Sequence, residues 1–116
     1  MWLDARIPVR MVAPEGLKEA LAADPAAALV VEDGIDPPDA VAVESFPAPP
    51  HPLGCACCVA RSAASAAFDR LFLARVKGEV PHFASVVAAA ATDEGRAAIE
   101  AALATDPVVP MRYRAA

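Results

Sequence analysis

Aromatic side chains are scarce in this chain: one Trp, one Tyr and four Phe among 116 residues. That excludes a core built on stacked rings and leaves small aliphatic side chains as the source of burial. Cations are also in the minority, 10 Lys and Arg against 15 Asp and Glu, for a formal net charge of −5. Without a cluster of Lys or Arg there is no electrostatic footprint for a polyanion, so neither nucleic acid nor an anionic membrane is an expected partner. No apolar run approaches the roughly 20 residues that a bilayer-spanning helix needs. The opening Met1-Trp2-Leu3-Asp4-Ala5-Arg6 lacks the charged region, apolar region and cleavage site of a secretory signal, so the expected location is cytoplasmic. Three cysteines, an odd number in neighbouring positions, do not make the disulfide framework of a secreted domain.

What is present is a 57 % hydrophobic composition dominated by alanine, together with 12 prolines. Such a chain is not disordered, and its length suits one domain, residues 1–116, that buries roughly two-thirds of its unfolded surface. Small side chains let helices lie close to a sheet but limit the area each residue buries.

All three cysteines fall within Gly54-Cys55-Ala56-Cys57-Cys58. Thiolates are soft ligands for zinc and other thiophilic ions, and Cys-x-Cys-Cys brings two or three sulfurs around one ion with little loop-closure entropy to overcome. His51, four residues upstream, can complete a tetrahedral donor set as His-x3-Cys-x-Cys-Cys, or leave the fourth place to a water, a second His or a partner's ligand. The competing reading treats the cysteines as small buried hydrophobes. Four prolines between Pro47 and Pro52 make residues 47–53 an extended, proline-rich loop that delivers the chain to the motif.

Beyond the motif, Val59, Ala63, Ala66, Ala67, Phe68, Leu71, Phe72 and Val76 recur at three- and four-residue spacing, with Arg61, Ser65 and Asp69 on another face. This predicts a helix from about Cys57 to Lys77, stopped by Gly78 and Pro81, with its positive dipole end favouring the thiolates of Cys57 and Cys58. Upstream, Ile7, Val9 and Met11 alternate as a strand, and Pro14-Glu15 opens a short helix through Leu17, Ala20 and Leu21. Ala28 to Val31 reads as a strand closed by Asp33-Gly34, Asp36 to Asp39 as a turn, and Ala40 to Ser45 as a further strand. Downstream, Phe83 to Ala90 reads as a strand covered on both faces, and Thr92-Asp93-Glu94 as the start of a helix carrying Ile99, Ala102 and Leu103. Asp106-Pro107 ends it, and alternation from Val108 to Arg114 predicts a last, edge strand.

The resulting order, β-α-β-β-α-β-α-β, predicts a three-layer α/β domain with a mainly parallel sheet and flanking helices. Ligand sites in such sheets lie beyond the carboxyl ends of the strands, and the cysteine motif falls on a strand-to-helix connection.

Gly54-Cys55-Ala56-Cys57-Cys58-Val59-Ala60-Arg61, followed by a helix, Lys77-Gly78-Glu79 and an apolar strand, resembles the CobW-like metal-handling P-loop GTPases. Ile7 to Val12 looks like that family's first strand, Val43-Glu44 like the Val-Glu before its cysteine motif, and Thr92 to Gly95 like a vestige of its Glu-Thr-Thr-Gly. The resemblance implies a reduced P-loop-GTPase-like fold and zinc or a similar ion on Cys55, Cys57 and Cys58. It does not extend to the phosphate loop. Ala13-Pro14-Glu15-Gly16-Leu17-Lys18-Glu19 has no Gly-Lys-Ser/Thr and carries two acids that would repel phosphate, and the guanine-reading segment is absent.

The expectation is therefore a metal-binding module without GTPase or other enzymatic activity, serving metal transfer or homeostasis. Its partners would be the ion and a client metalloprotein. Two alternatives stay open: a structural or interaction domain derived from the same fold, and a thiol redox protein using the vicinal cysteines. An uncovered edge strand at Val108–Arg114 adds the expectation of a homodimer.

Overall fold

Alternation sends Ile7 and Val9 of the first strand, β1 (Ile7–Met11), into the core, as the sequence predicts. The computed structural model describes residues 5–48 and 62–116. After β1, a 3-10 turn at Pro14–Gly16 leads into helix α1 (Leu17–Ala23), which buries Leu17, Ala20 and Leu21. Strand β2 (Ala28–Glu32) is buried along its whole length, and β3 (Val43–Phe46) follows without an intervening helix. Then come α2 (Ala63–Val76), β4 (Val86–Ala89), α3 (Asp93–Thr105), a single-turn helix α4 (Val109–Arg112) and β5 (Tyr113–Ala115).

The five strands form one all-parallel sheet in the order β3-β2-β4-β1-β5. Its two faces divide the strand side chains strictly. Leu29, Val31, Val87 and Ala89 pack against Leu17, Ala20 and Leu21 of α1, with Ile35 and Ala40 of the β2–β3 connection completing that layer. Ile7, Val9, Ala28, Val30, Val86 and Ala88 face the other way, onto Ala64, Ala67, Phe68 and Leu71 of α2 and Ile99 and Ala102 of α3. This is the three-layer α/β architecture expected from the element order. Alanines at Ala64, Ala67, Ala88 and Ala102 hold the helices close to the sheet, while buried Leu and Phe side chains supply about 1.5–3 kcal/mol each.

Four boundaries differ from expectation. Helix α2 starts at Ala63, not Cys57, because Ser62 is extended and its hydroxyl accepts from the Ser65 amide at 3.1 Å, which fixes the first turn there. Its inward face runs through Ala64, Ala67, Phe68 and Leu71 with Ser65 buried beside it, whereas Ala63 and Val76 point outward. At its end the expected glycine stop is present as a Schellman motif: Gly78 has φ +73°, Glu79 donates to the Ala74 carbonyl at 2.9 Å, and Gly78 donates to the Arg75 carbonyl at 3.2 Å. The strand expected from Ala40 begins at Val43. Residues 36–39 form no hydrogen-bonded turn, the reversal being made at Asp33-Gly34.

Strand β4 is shorter than Phe83–Ala90. The amides of Ala91 and Thr92, just beyond its end, donate to the Glu32 carboxylate, and this ends the ladder. The strand expected over Val108–Arg114 is instead α4 followed by three residues of β5. Asp106 accepts from the amides of Val108 and Val109 at 2.9 and 3.0 Å and so winds a helical turn, with Pro110 in its first positions. Helical spacing turns Val109 and Tyr113 inward and leaves Met111 76 % exposed. The edge strand on this side of the sheet is therefore the three residues of β5, shorter than the stretch Val108–Arg114 expected.

Candidate functional site

The carboxyl edge of the sheet is assembled from the ends of β1, β2, β3 and β4 and from the starts of α1 and α3. Chain direction alone dictates this in an all-parallel sheet. Cys55, Cys57, Cys58 and His51 belong to the connection that leaves β3 after Phe46 and joins α2 at Ala63, and they lie outside the described residues. The described residues that flank it are Ala48 and Ser62, and Ser62 lies with Ser65 beside Ala101, Ala102, Thr105 and Asp106 at the end of α3. The amino end of α2, and with it the positive end of that helix's dipole, lies at Ala63 and not at Cys57 as expected. Among the described residues, no group of three His, Cys, Asp or Glu side chains could hold a metal ion.

Glu32 is the side chain at this edge that reasoning from sequence missed. It is the last residue of β2, and alternation places it on the α3 side of the sheet, following Ala28 and Val30. It is completely buried. Its Oε1 accepts from the amides of Ala91 and Thr92 at 2.7 and 2.8 Å, and its Oε2 accepts from the Thr92 hydroxyl at 2.8 Å. Thr92 is the N-cap of α3, and its Oγ1 in turn accepts from the Gly95 amide at 2.9 Å. One carboxylate thus satisfies the end of β4 and the start of a 13-residue helix at once. Gly95 makes room for it, because a Cβ at that position would fall on the carboxylate.

The position is also where the topology parts. The connection out of β2 crosses the α1 face, where Ile35 and Ala40 pack, and the connection out of β4 crosses the opposite face as α3. Adjacent strands whose connections diverge in this way leave a crevice at the carboxyl edge, the usual ligand position of open α/β sheets. Glu32 fills it. The only signal in the sequence is an acid closing an apolar strand, which equally suits an exposed strand end.

Elsewhere on this edge, the turn between β1 and α1 spends the Gly16 amide on the Ala13 carbonyl at 2.8 Å and exposes Lys18 and Glu19. An open groove of about 380 Å³ lies between β1 and α3, lined by Val9, Met11, Glu100, Leu103 and Ala104 among others. At the opposite, amino edge, the Ser85 hydroxyl donates to the Asp24 carboxylate. Among the described residues, no helix is long and apolar enough to cross a membrane.

No family model, curated protein or solved structure matches the chain. The likeness to CobW-like proteins accordingly rests on the residues that carry it, above all Gly54 to Arg61.

Proposed function

We propose that this chain is a metal-binding module for zinc or another thiophilic ion, in which Cys55, Cys57 and Cys58 supply thiolates and His51 an imidazole. The observation that carries the reading is the spacing His-x3-Cys-x-Cys-Cys. Three sulfurs and one nitrogen are the donor set of a tetrahedral zinc site. Support comes from chain order: these residues fall between the end of β3 and the start of α2, a strand-to-helix connection in a protein with a parallel sheet. The ion is cargo in this reading: a short, cysteine-dense segment exchanges thiolates stepwise with a client metalloprotein, which suits metal transfer or homeostasis. A cytoplasmic location, where thiols stay reduced, goes with it.

Nucleotide chemistry is not part of the proposal. The phosphate loop is missing, Glu15 and Glu19 stand in its position, and the helix start at the switch point already holds a carboxylate.

Titration of reduced, metal-free protein with cobalt(II) tests the reading. Uptake of about one equivalent with thiolate-to-cobalt charge-transfer absorption, displaced by zinc and weakening below neutral pH as protons compete for sulfur, is expected. No uptake, or cobalt bound without charge transfer, rejects it.

A further inference from the structure

We propose that Glu32 is the resident occupant of an anion cradle at the switch point, so that this crevice accepts a small carboxylate only when the Glu32 side chain is removed. The inference is independent of the metal reading, since it concerns only β2, the end of β4 and α3.

The donors converge as they would on a bound ligand. Two consecutive backbone amides, Ala91 and Thr92, and the Thr92 hydroxyl all point at one carboxylate supplied from 59 and 60 residues away. That carboxylate is completely buried. Neither local chain geometry nor exposure to water explains its presence, and its charge suits the positive end of α3. The third feature is steric. Gly95, one turn into the helix, has no Cβ, and the volume so freed is taken up by the carboxyl group. Donors, field and shape together define a cradle for a planar anion of carboxylate size, and the chain supplies that anion from its own second strand.

Two consequences follow from occupancy. In the intact protein the cradle's donors are consumed and a negative charge sits among them, so acetate and inorganic phosphate find no site there. Replacing Glu32 by Ala removes the Cγ and the carboxyl group, the atoms of one acetate. The cradle is then left with three part-buried donors around the vacated space, an arrangement that an anion from solution relieves.

The experiment compares thermal unfolding of the intact chain, Glu32→Ala and Glu32→Gln in sodium acetate and in sodium chloride at equal ionic strength. Amide resonances of the intact chain are followed in parallel during titration with acetate and with inorganic phosphate. In Glu32→Ala, acetate should raise Tm saturably, by something of the order of 5 °C, or restore folding where chloride does not. The intact chain and Glu32→Gln, whose amide still fills the cradle, should not respond, and the Ala91, Thr92 and Gly95 amides of the intact chain should not shift. The proposal is overturned by a Glu32→Ala chain that melts alike, or stays unfolded alike, in both salts. Acetate stabilisation of Glu32→Gln to the same degree overturns it as well, and so does saturable movement of those amides in the intact chain.

Discussion

Arg70 on α2 holds Ser45 on the outermost strand: its guanidinium donates to the Ser45 carbonyl at 3.0 Å and, through Nε, to the neighbouring Glu44 carboxylate at 2.7 Å. Hydrogen bonds from Leu29 to the Ala42 carbonyl and from Asp33 to the Phe46 carbonyl show that even-numbered residues of this strand face β2. The Ser45 carbonyl therefore points off the sheet, and Arg70 occupies an acceptor that a second strand would otherwise use. Replacing Arg70 by Ala should cost less than about 1 kcal/mol in stability, because the ion pair is largely exposed. It should, however, increase self-association with concentration. Light scattering identical to that of the parent would show that the clamp does not protect the edge.

Tyr113 gives a stability term that fades in alkali. Its ring packs on Phe68 with centroids 5.0 Å apart, its hydroxyl donates to the Phe68 carbonyl at 2.9 Å, and burial pushes its pKa well above the ordinary value near 10, only partly offset by Arg75 and Arg112. Above that ordinary value the unfolded chain loses the phenolic proton while the folded chain keeps it. Unfolding then releases a proton, and stability should fall by about 1.4 kcal/mol per pH unit from this group. Urea melts from neutral pH to about pH 11 would measure the slope. In Tyr113→Phe this component should vanish, with about 1 kcal/mol lost at neutral pH for the missing hydrogen bond. The chain has a single tyrosine, so its absorbance titration is unambiguous.

Gly95→Ala should destabilise the fold by roughly 1–3 kcal/mol, since the new methyl meets a carboxylate held by three donors. In the Glu32→Ala background the sign should reverse, leaving up to about 1 kcal/mol of gained helix propensity. A double-mutant cycle by chemical denaturation measures the coupling. Additive effects would mean that the two side chains do not compete for the same space.

The cysteines and His51 should separate spectroscopically. With roughly 10–16 kcal/mol of zinc affinity spread over four ligands, each Cys→Ser replacement should cost on the order of a hundredfold. It should also remove about a third of the cobalt charge-transfer intensity, which reports thiolates only. His51→Ala should weaken binding comparably while leaving that intensity intact. Unchanged affinity would remove His51 from the ligand set.

Patterning in the sequence gives away the elements whose boundaries are set by nearby residues. The alternation of Ile7 and Val9, the Thr92 cap and the Gly78 stop are all read correctly because cap, turn and period lie within a few positions of one another. Misreadings occur where a polar side chain redirects the backbone. Ser62 moves the start of α2 six residues beyond Cys57, and Asp106 winds Val109–Arg112 into a helical turn although the apolar alternation suits a strand. Glu32 was invisible for a different reason: its partners lie about sixty residues away, and no local pattern distinguishes an acid that caps a distant helix from one that meets water. The cysteine cluster is a feature of composition and spacing alone, and its residues lie outside the described ones.

The placing of β1 in the sheet has a bearing on how the chain acquires its structure. Strand β1 lies between β4 and β5, with Val9 opposite Val86 and Ile7 opposite Tyr113. Nothing in the intervening β2 or β3 pairs with it. Pairing of β1 therefore awaits Val86 and its neighbours, and this part of the sheet closes in a late, long-range step. Such a chain should fold slowly for its size and lean on chaperones while it waits.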